Sequence, residues 1–391
     1  MLTIDYEHCT GCEACVQRCP KRCISMVAGE FGFLYPEIDL DECVNCHICE
    51  KVCPIQRDNP APFNQKAYAA VHKDKKILRN STSGGAFSSL AIWTLNSGGV
   101  VYGARMNDFM VHHVRIDSIE LLGQLRGSKY LQSSINTTFI QAEEDLKAGK
   151  VVLFSGTPCQ IDGLIKFLGH EYEKLITVDI VCHGVGSQAY FDKFISYVKS
   201  EMPQLREAKF RSKRYSGWSV TSGEFIVEEK PGKRISKPFY NHKNYYYRYF
   251  LEGSIYRKSC YSCKYANLNR PGDFTLGDFW GVEKLRLPIN TYYGCSLIIA
   301  NTVKAEKLLK HLPDIELESV RIEDAVKDNE QLLHPSKLVD VRNERIIDYE
   351  TKTGKEIAIK YKNKEKKQIL KGTLKMAIPY SVKTIIRSLR K

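Results

Sequence analysis

The chain has 391 residues, 43% of them hydrophobic and 26% charged. This composition supports packed domains and excludes a chain that is disordered as a whole. The net charge of +13 invites a nucleic-acid interpretation, but most of the excess lies in residues 351–391, where Lys and Arg far outnumber Glu356 and Glu365. The first eight residues lack the pattern of a secretory signal, and no segment approaches the roughly 20 apolar residues of a bilayer span. We therefore expect a cytoplasmic protein.

A run of four closely spaced cysteines, here called the cysteine ladder, occurs twice in residues 1–60. We predict that these residues form one domain. Each copy has the spacing C-x2-C-x2-C-x3-C-P, and the second copy follows the first at a constant offset, which indicates an internal duplication. In bacterial-type ferredoxins with this spacing, three close cysteines bind one [4Fe-4S] cluster and the fourth binds the other. On that rule one cluster is bound by Cys9, Cys12, Cys15 and Cys53, and the second by Cys43, Cys46, Cys49 and Cys19.

Zinc and disulfides are the alternatives for this ladder. Zinc sites usually use two separated C-x2-C pairs and do not require a fourth cysteine followed by proline. Disulfides need an oxidising compartment and are not expected at such regular short spacing. Cys23 lies outside the ladder, and we interpret it as a small buried hydrophobic residue rather than a ligand.

Beyond a stiff linker at Pro60-Ala61-Pro62, short β-rich runs alternate with helical stretches, so we predict an α/β domain over residues 65–345. The predicted strands are residues 67–71, 99–104, 151–154 and 175–181, and the predicted helices are residues 85–95, 136–148 and 160–168. Residues 207–237 favour antiparallel β-structure. The fold class is thus an α+β ferredoxin-like dicluster domain fused to an α/β domain.

An aromatic cluster follows the antiparallel region, at the end of a predicted helix. Packing is the favoured interpretation, since tyrosine buries a large area while its hydroxyl remains polar. A platform for a planar cofactor or substrate is the alternative. The members are Tyr245, Tyr246, Tyr247, Tyr249 and Phe250.

Four later cysteines form a second candidate metal site. Cys159 and Cys182 each follow a predicted strand, where ligand sites gather in α/β sheets, and we expect a helix N-terminus to lower the pKa of Cys159. Cys260 and Cys263 form a C-x2-C pair that would complete four thiolates. The residues alone leave a third cluster, a structural zinc ion and unlinked thiols open.

Two glycine-containing turns are less specific. Ser83-Gly84-Gly85 precedes a predicted helix, where it could bind a phosphate or simply begin the helix. Gly127-Ser128-Lys129-Tyr130 could place a cation beside a cofactor or could form a solvated loop.

Taken in order, these motifs resemble the coenzyme F420 hydrogenase/dehydrogenase beta-subunit family over about residues 68–337. They include Gly156-Thr157-Pro158-Cys159-Gln160, Cys182-His183-Gly184, Cys260-x2-Cys263 and the segment from Gly272-Asp273 to Trp280-Gly281. The resemblance implies a flavoprotein domain that binds FAD and a further [4Fe-4S] cluster. Carried over by residue, the cluster ligands are Cys159, Cys182, Cys260 and Cys263, and the FAD contacts are Ser83, Gly84, Gly85, Ser128, Lys129, Gly156 and Thr157.

These features predict an iron-sulfur flavoprotein oxidoreductase that passes electrons between clusters and FAD to reduce or oxidise an organic substrate or a deazaflavin-type cofactor. The expected partner is a ferredoxin-like donor or acceptor protein, or a redox cofactor. A non-catalytic electron-transfer subunit and an iron-sulfur redox sensor are the alternatives. The catalytic residues stay unknown, because His183 and Lys129 are acid candidates only through their motifs.

Residues 351–391 are predicted to form a basic amphipathic tail. One helical face of the tail is apolar and basic residues lie opposite; the apolar residues are Val382, Ile385, Ile386 and Leu389. This pattern suits peripheral binding to the anionic inner surface of a membrane. A solvated appendage is the equal alternative. Nucleic acid is disfavoured because few aromatic residues accompany the charges.

Overall fold

The computed structural model describes residues 5–56, 64–378 and 382. The predicted linker Pro60-Ala61-Pro62 and all residues of the predicted tail helix except Val382 lie outside these ranges.

The N-terminal segment consists of two short helices and a hairpin. Helices α1 (Ala14–Arg18) and α2 (Ile48–Lys51) each start inside a cysteine run, and strands β1 (Ile24–Ala28) and β2 (Leu34–Ile38) pair antiparallel. The residues before the two helices, Glu13 and His47, are equivalent in the sequence repeat, and both are left-handed, with φ of 61° and 57°. The duplication therefore extends to the backbone conformation.

The rest of the chain contains eleven strands and twelve helices within the described ranges. The strands are β3 (Lys66–His72), β4 (Val100–Asn107), β5 (Met110–Ile116), β6 (Val152–Gly156), β7 (Leu175–Ile180), β8 (Leu205–Lys209), β9 (Ser222–Lys230), β10 (Lys233–Tyr240), β11 (Phe274–Asp278), β12 (Ser296–Ala300) and β13 (Ile315–Val320). The helices are α3 (Lys75–Asn80), α4 (Ala86–Asn96), α5 (Thr138–Lys147), α6 (Pro158–Leu168), α7 (Gln188–Glu201), α8 (Lys213–Ser216), α9 (Tyr245–Glu252), α10 (Val303–Leu309), α11 (Ile322–Val326), α12 (Arg342–Thr351), α13 (Gly354–Lys364) and α14 (Lys366–Met376).

Eight strands form one mixed sheet in the order β13-β3-β12-β11-β7-β6-β4-β5. Strands β4, β6, β7 and β11 run parallel, and the outer pairs are antiparallel. Because these parallel strands share a direction, the loops after β6 and β7 emerge at the same edge of the sheet. Cys159 and Cys182 lie in or just after those loops.

Helices cover both faces of the sheet. Leu90 of α4 and Leu308 of α10 belong to one core, whereas Phe139 of α5 and Ile161 of α6 belong to another. That second core also contains Cys12, Ala14 and Val52, so the N-terminal domain packs directly onto α5 and α6.

A separate three-stranded sheet, β10-β9-β8, confirms the antiparallel interpretation of residues 207–237. The predicted aromatic cluster lies in α9 and packs with this sheet and α7 in a third core. All five aromatic residues are buried, so packing accounts for them. The strands and helices predicted for the larger sheet are also present, while β5, β12 and β13 were not predicted.

The first part of the predicted tail is not a free appendage. Ile357 and Tyr361 of α13 are buried in the aromatic core, and the Tyr361 hydroxyl donates to the carbonyl of His242 at 2.9 Å. Lys360 binds the buried carboxylate of Asp348 on α12. None of the described helices combines the length and apolar character that a bilayer crossing requires.

Candidate functional site

The eight ladder cysteines line two cavities in the groups of four predicted from the sequence. The first cysteine cavity is lined by Cys9, Cys12, Cys15 and Cys53, and the second by Cys19, Cys43, Cys46 and Cys49. Each group therefore combines three cysteines of one run with the last cysteine of the other, as the ferredoxin rule requires.

Cys23 also lines the second cavity, although its sequence context indicates an isolated core residue. It is buried, as expected, but its sulfur lies 3.5 Å from the sulfur of Cys19. Its position at the start of β1 follows from the chain reversal after Pro20, which sequence spacing does not reveal.

The four later cysteines line a third cavity, here called the third cysteine cavity. Cys159 lies in the first turn of α6, Cys182 follows β7, and Cys260 and Cys263 lie in and at the end of a 3-10 helix. Two neighbouring strand ends at one edge of the sheet and one distant loop thus bring together residues up to 104 positions apart, from Cys159 to Cys263. In residues 5–56 and 64–378, no three His, Cys, Asp or Glu side chains converge on a single-ion site.

Burial dominates the electrostatics of these thiols. It raises the pKa of Cys159 to about 11 and that of Cys182 to about 12, and neighbouring thiols add to both increases. The predicted lowering of the Cys159 pKa by the helix N-terminus is therefore wrong, because desolvation has the larger effect. Four crowded thiols of this kind ionise together only when a cation compensates them, which fits a bound iron cluster.

The first and third cavities are neighbours. Thr10 lines both of them. The Gln132 side-chain amide donates to the carbonyls of Thr10 and Gly11 at 2.9 and 3.1 Å, and Arg257 donates to the carbonyl of Cys9 at 2.7 Å. The interface between the N-terminal domain and the larger domain therefore lies between the first and the third cysteine cavities.

A buried ion pair supports the wall of the third cavity. Arg270 binds Asp179 on β7 at 2.6 Å, and both side chains are at most 1% exposed. The guanidinium also donates to the carbonyls of Ile180 and Tyr265, which fixes the segments on either side of Cys182 and Cys263.

A large basic cleft of about 1170 Å³ lies between the two sheets. Ser128 and Lys129, which stay predicted FAD contacts, line it together with Ser81 and Thr82. Only Asp108, Glu207 and Glu224 contribute acidic side chains to the described lining. The cationic lining residues are Arg79, Arg105, Arg126, Lys129, Arg206, Lys209, Arg211, Lys213, Arg214 and Arg234.

Two lysines of the cleft are held by backbone carbonyls. Lys129 donates to the carbonyls of Gln124, Leu125 and Arg126, and Lys213 donates to those of Leu78 and Ser83. Burial lowers the pKa of each lysine to about 7. An anionic group bound beside them would restore their full charge.

The other predicted FAD contacts are not among the described lining residues of this cleft. The Ser83 hydroxyl donates to the carbonyl of Cys295, and a Cβ on Gly84 would lie 2.0 Å from the carbonyl oxygen of Ala70. Gly84 and Gly85 therefore serve close packing of the loop against β3. Gly156 packs against Gln160, and Thr157 lines the third cysteine cavity, with its hydroxyl 3.1 Å from the Cys159 sulfur.

His183, an acid candidate from its motif, lines the third cysteine cavity rather than the basic cleft. Burial lowers the pKa of its imidazole. Sequence reasoning missed Gln132, Arg257 and Arg270; Arg257 lies three residues before Cys260, which was the available signal.

Comparison with known families matches two parts of the chain. Residues 149–325 match the model for the C-terminal region of the beta subunit in coenzyme F420 hydrogenase/dehydrogenase, and residues 8–56 match that of the 4Fe-4S dicluster domain. The resemblance to this family stated from the sequence is therefore confirmed for residues 149–325. This matched region contains all four cysteines of the third cavity, whereas the motifs at residues 83–85 and 127–130 lie before it.

A solved structure with a chain similar to this one is the xenon-derivatised F420-reducing [NiFe] hydrogenase complex from Methanosarcina barkeri. The identity is 16% and the TM-score 0.42, over 75% of this chain and 93% of that chain. No curated protein matches the sequence. Electron transfer of the oxidoreductase type, with [4Fe-4S] clusters in the N-terminal domain, fits both family matches.

Proposed function

We propose that the protein is an iron-sulfur flavoprotein oxidoreductase that passes electrons between [4Fe-4S] clusters and FAD to reduce or oxidise an organic substrate or a deazaflavin-type cofactor. A ferredoxin-like protein or a redox cofactor would be its electron partner. The ligands would be the eight ladder cysteines, in their two groups of four, and Cys159, Cys182, Cys260 and Cys263 for a third cluster.

The observation that carries the proposal is the sorting of twelve cysteines into three groups of four, each around its own cavity. The first and third groups share Thr10 as a lining residue, so centres held there would be close neighbours. The thiols of the third group are desolvated by burial, which limits the access of water there. Hydrogen bonds to cysteine sulfur tune iron-sulfur potentials.

The basic cleft supports the FAD part of the proposal. Its cationic lining and the hydroxyls of Ser81, Thr82 and Ser128 suit the two phosphates of a dinucleotide, and the exposed Tyr293 offers an aromatic ring. Bound FAD would supply the exchange between one-electron and two-electron chemistry. The residues of this chain would bind and orient it and compensate its charge.

Anaerobic purification followed by iron, sulfide, zinc and flavin analysis tests the function. We expect about twelve iron atoms per chain, from the four-iron count of three clusters, and about one FAD. Reduction of a hydride-type acceptor by the isolated chain distinguishes the enzyme from a non-catalytic electron-transfer subunit. Iron without flavin would favour a redox sensor, and zinc in place of the third cluster would contradict the oxidoreductase assignment of the larger domain.

We further propose a peripheral contact between α14 and an anionic membrane, with the protein in the cytoplasm. One face of α14 packs on the body, where Gly372 lies against His242. The opposite face presents Leu370 and Leu374, both 63% exposed, and Ile378 continues it at 38%. Exposed lysines flank this apolar face, a combination typical of helices that lie on anionic lipid. They are Lys366, Lys367, Lys371 and Lys375.

Replacing Leu370 and Leu374 with glutamine should abolish sedimentation with phosphatidylserine vesicles, because each change removes an apolar side chain from the face proposed to contact lipid. Both side chains are already exposed, so the changes remove no buried contact. The matched control is Ile347→Gln, which alters another exposed apolar side chain, on α12. Cutting the chain at Thr351 is a poorer test because it removes the buried Tyr361. Equal sedimentation of the double variant and the wild type would refute the contact.

A further inference from the structure

Arg257 is a buried cation at the contact between the N-terminal domain and the larger domain. Its side chain is 1% exposed, and it lines the third cysteine cavity. It comes from the segment before Cys260, whereas most of its hydrogen-bond partners belong to the N-terminal domain.

Each of the three guanidinium nitrogens donates to neutral oxygen or to sulfur. Nε donates to the carbonyl of Cys9 at 2.7 Å, and Nη1 donates to the Gln132 side chain at 3.1 Å. Nη2 donates to the carbonyl of Leu34 at 2.8 Å and lies 3.8 Å from the sulfur of Cys9. The guanidinium carbon lies 4.1 Å from the centre of the Tyr35 ring.

The other buried arginines nearby have carboxylate partners. Arg270 is paired with Asp179, and Arg342 is paired with Glu30. In the described parts of the chain, no carboxylate forms an ion pair with Arg257. A buried charge without a counter-charge is strongly unfavourable, so an anion is expected at this position.

The sulfur of Cys9 is the acidic group in contact with Arg257. Four thiolates around a [4Fe-4S] core give a net negative charge, which increases by one when the cluster is reduced. We propose that Arg257 is the built-in counter-charge of the cluster site formed by Cys9, Cys12, Cys15 and Cys53, and that it makes reduction of this site more favourable. The inference rests on the ferredoxin part of the proposed function.

Two consequences follow from this arrangement. The extra electron on the reduced site is stabilised by a positive charge that cannot be screened by solvent. In addition, the same guanidinium joins the two domains through the carbonyls of Cys9 and Leu34, so binding of the cluster and docking of the N-terminal domain reinforce each other. Arg257 acts on the reaction through the cluster and is a positioning residue.

The test uses EPR-monitored redox titration of the full chain, purified anaerobically, with iron and flavin measured on the same samples. In Arg257→Met, at least one cluster signal should show an about tenfold lower ratio of reduced to oxidised form at a fixed potential, equivalent to about 59 mV for one electron. Arg257→Lys keeps the charge and should lose less than about threefold. The control Arg342→Met removes a buried arginine that also contacts the N-terminal domain but has its own carboxylate.

An unchanged titration of Arg257→Met with full iron content would overturn the inference, as would an equal shift in Arg342→Met. Loss of iron in Arg257→Met but not in Arg257→Lys would support the counter-charge role, whereas equal loss in both would refute it. Wild-type protein without clusters would overturn the proposed function as well, and protein with clusters but no shift would overturn only the role of Arg257.

Discussion

Replacing Cys260 with alanine is expected to lower the iron content of the anaerobically purified chain from about twelve to about eight atoms, by the four-iron count of one cluster. Cys260 lines the third cavity with Cys159, Cys182 and Cys263, and burial raises the pKa of all four thiols. Three buried thiols would leave one corner of a cubane without a ligand. The EPR signals of the N-terminal clusters should remain.

Cys295→Ala is the matched control for this change. Cys295 is fully buried, but it packs with Leu297 and Phe279 in another core, and it matches none of the cysteine motifs. Its replacement should leave the iron content at the wild-type value. Unchanged iron in the Cys260 variant, or zinc at this site in the wild type, would contradict a third iron-sulfur cluster.

Replacing Arg270 with methionine should destabilise the protein by roughly 3–5 kcal/mol, the range for a broken buried ion pair. Asp179 is 0% exposed and, within the described residues, its carboxylate would keep only the hydrogen bond from the Gly272 amide, at 2.9 Å. The shift in the urea-unfolding midpoint measures this effect. Asp179→Asn combined with Arg270→Met should cost less than the sum of the two single changes, because the pair is lost only once.

The pair between Lys66 and Glu306 provides the comparison. Their side chains are 51% and 24% exposed and screened by solvent, so Lys66→Ala should change the free energy of unfolding only slightly. If Lys66→Ala and Arg270→Met lowered the free energy of unfolding by similar amounts, the Arg270–Asp179 pair would contribute no more to stability than an exposed ion pair.

The sequence by itself determined the two ladder groups, because their ligands lie within one duplicated segment whose spacing limits the possible partners. It also identified Cys159, Cys182, Cys260 and Cys263 as one set, but only through resemblance, since spacing carries no information across more than 70 residues. The alternation of strands and helices was equally visible, because burial on a sheet or a helix face imposes its period on the chain.

The tertiary structure decided which of the predicted flavin residues line the cleft. Ser128 and Lys129 reach it, whereas Gly84 is required by the close approach of β3, a packing constraint that no local pattern reveals. Only the fold brings Arg257 to Cys9, Arg270 to Asp179 and the cationic residues of two sheets into one cleft. These charges act through space over a few ångströms, and chain topology, rather than sequence separation, sets those distances.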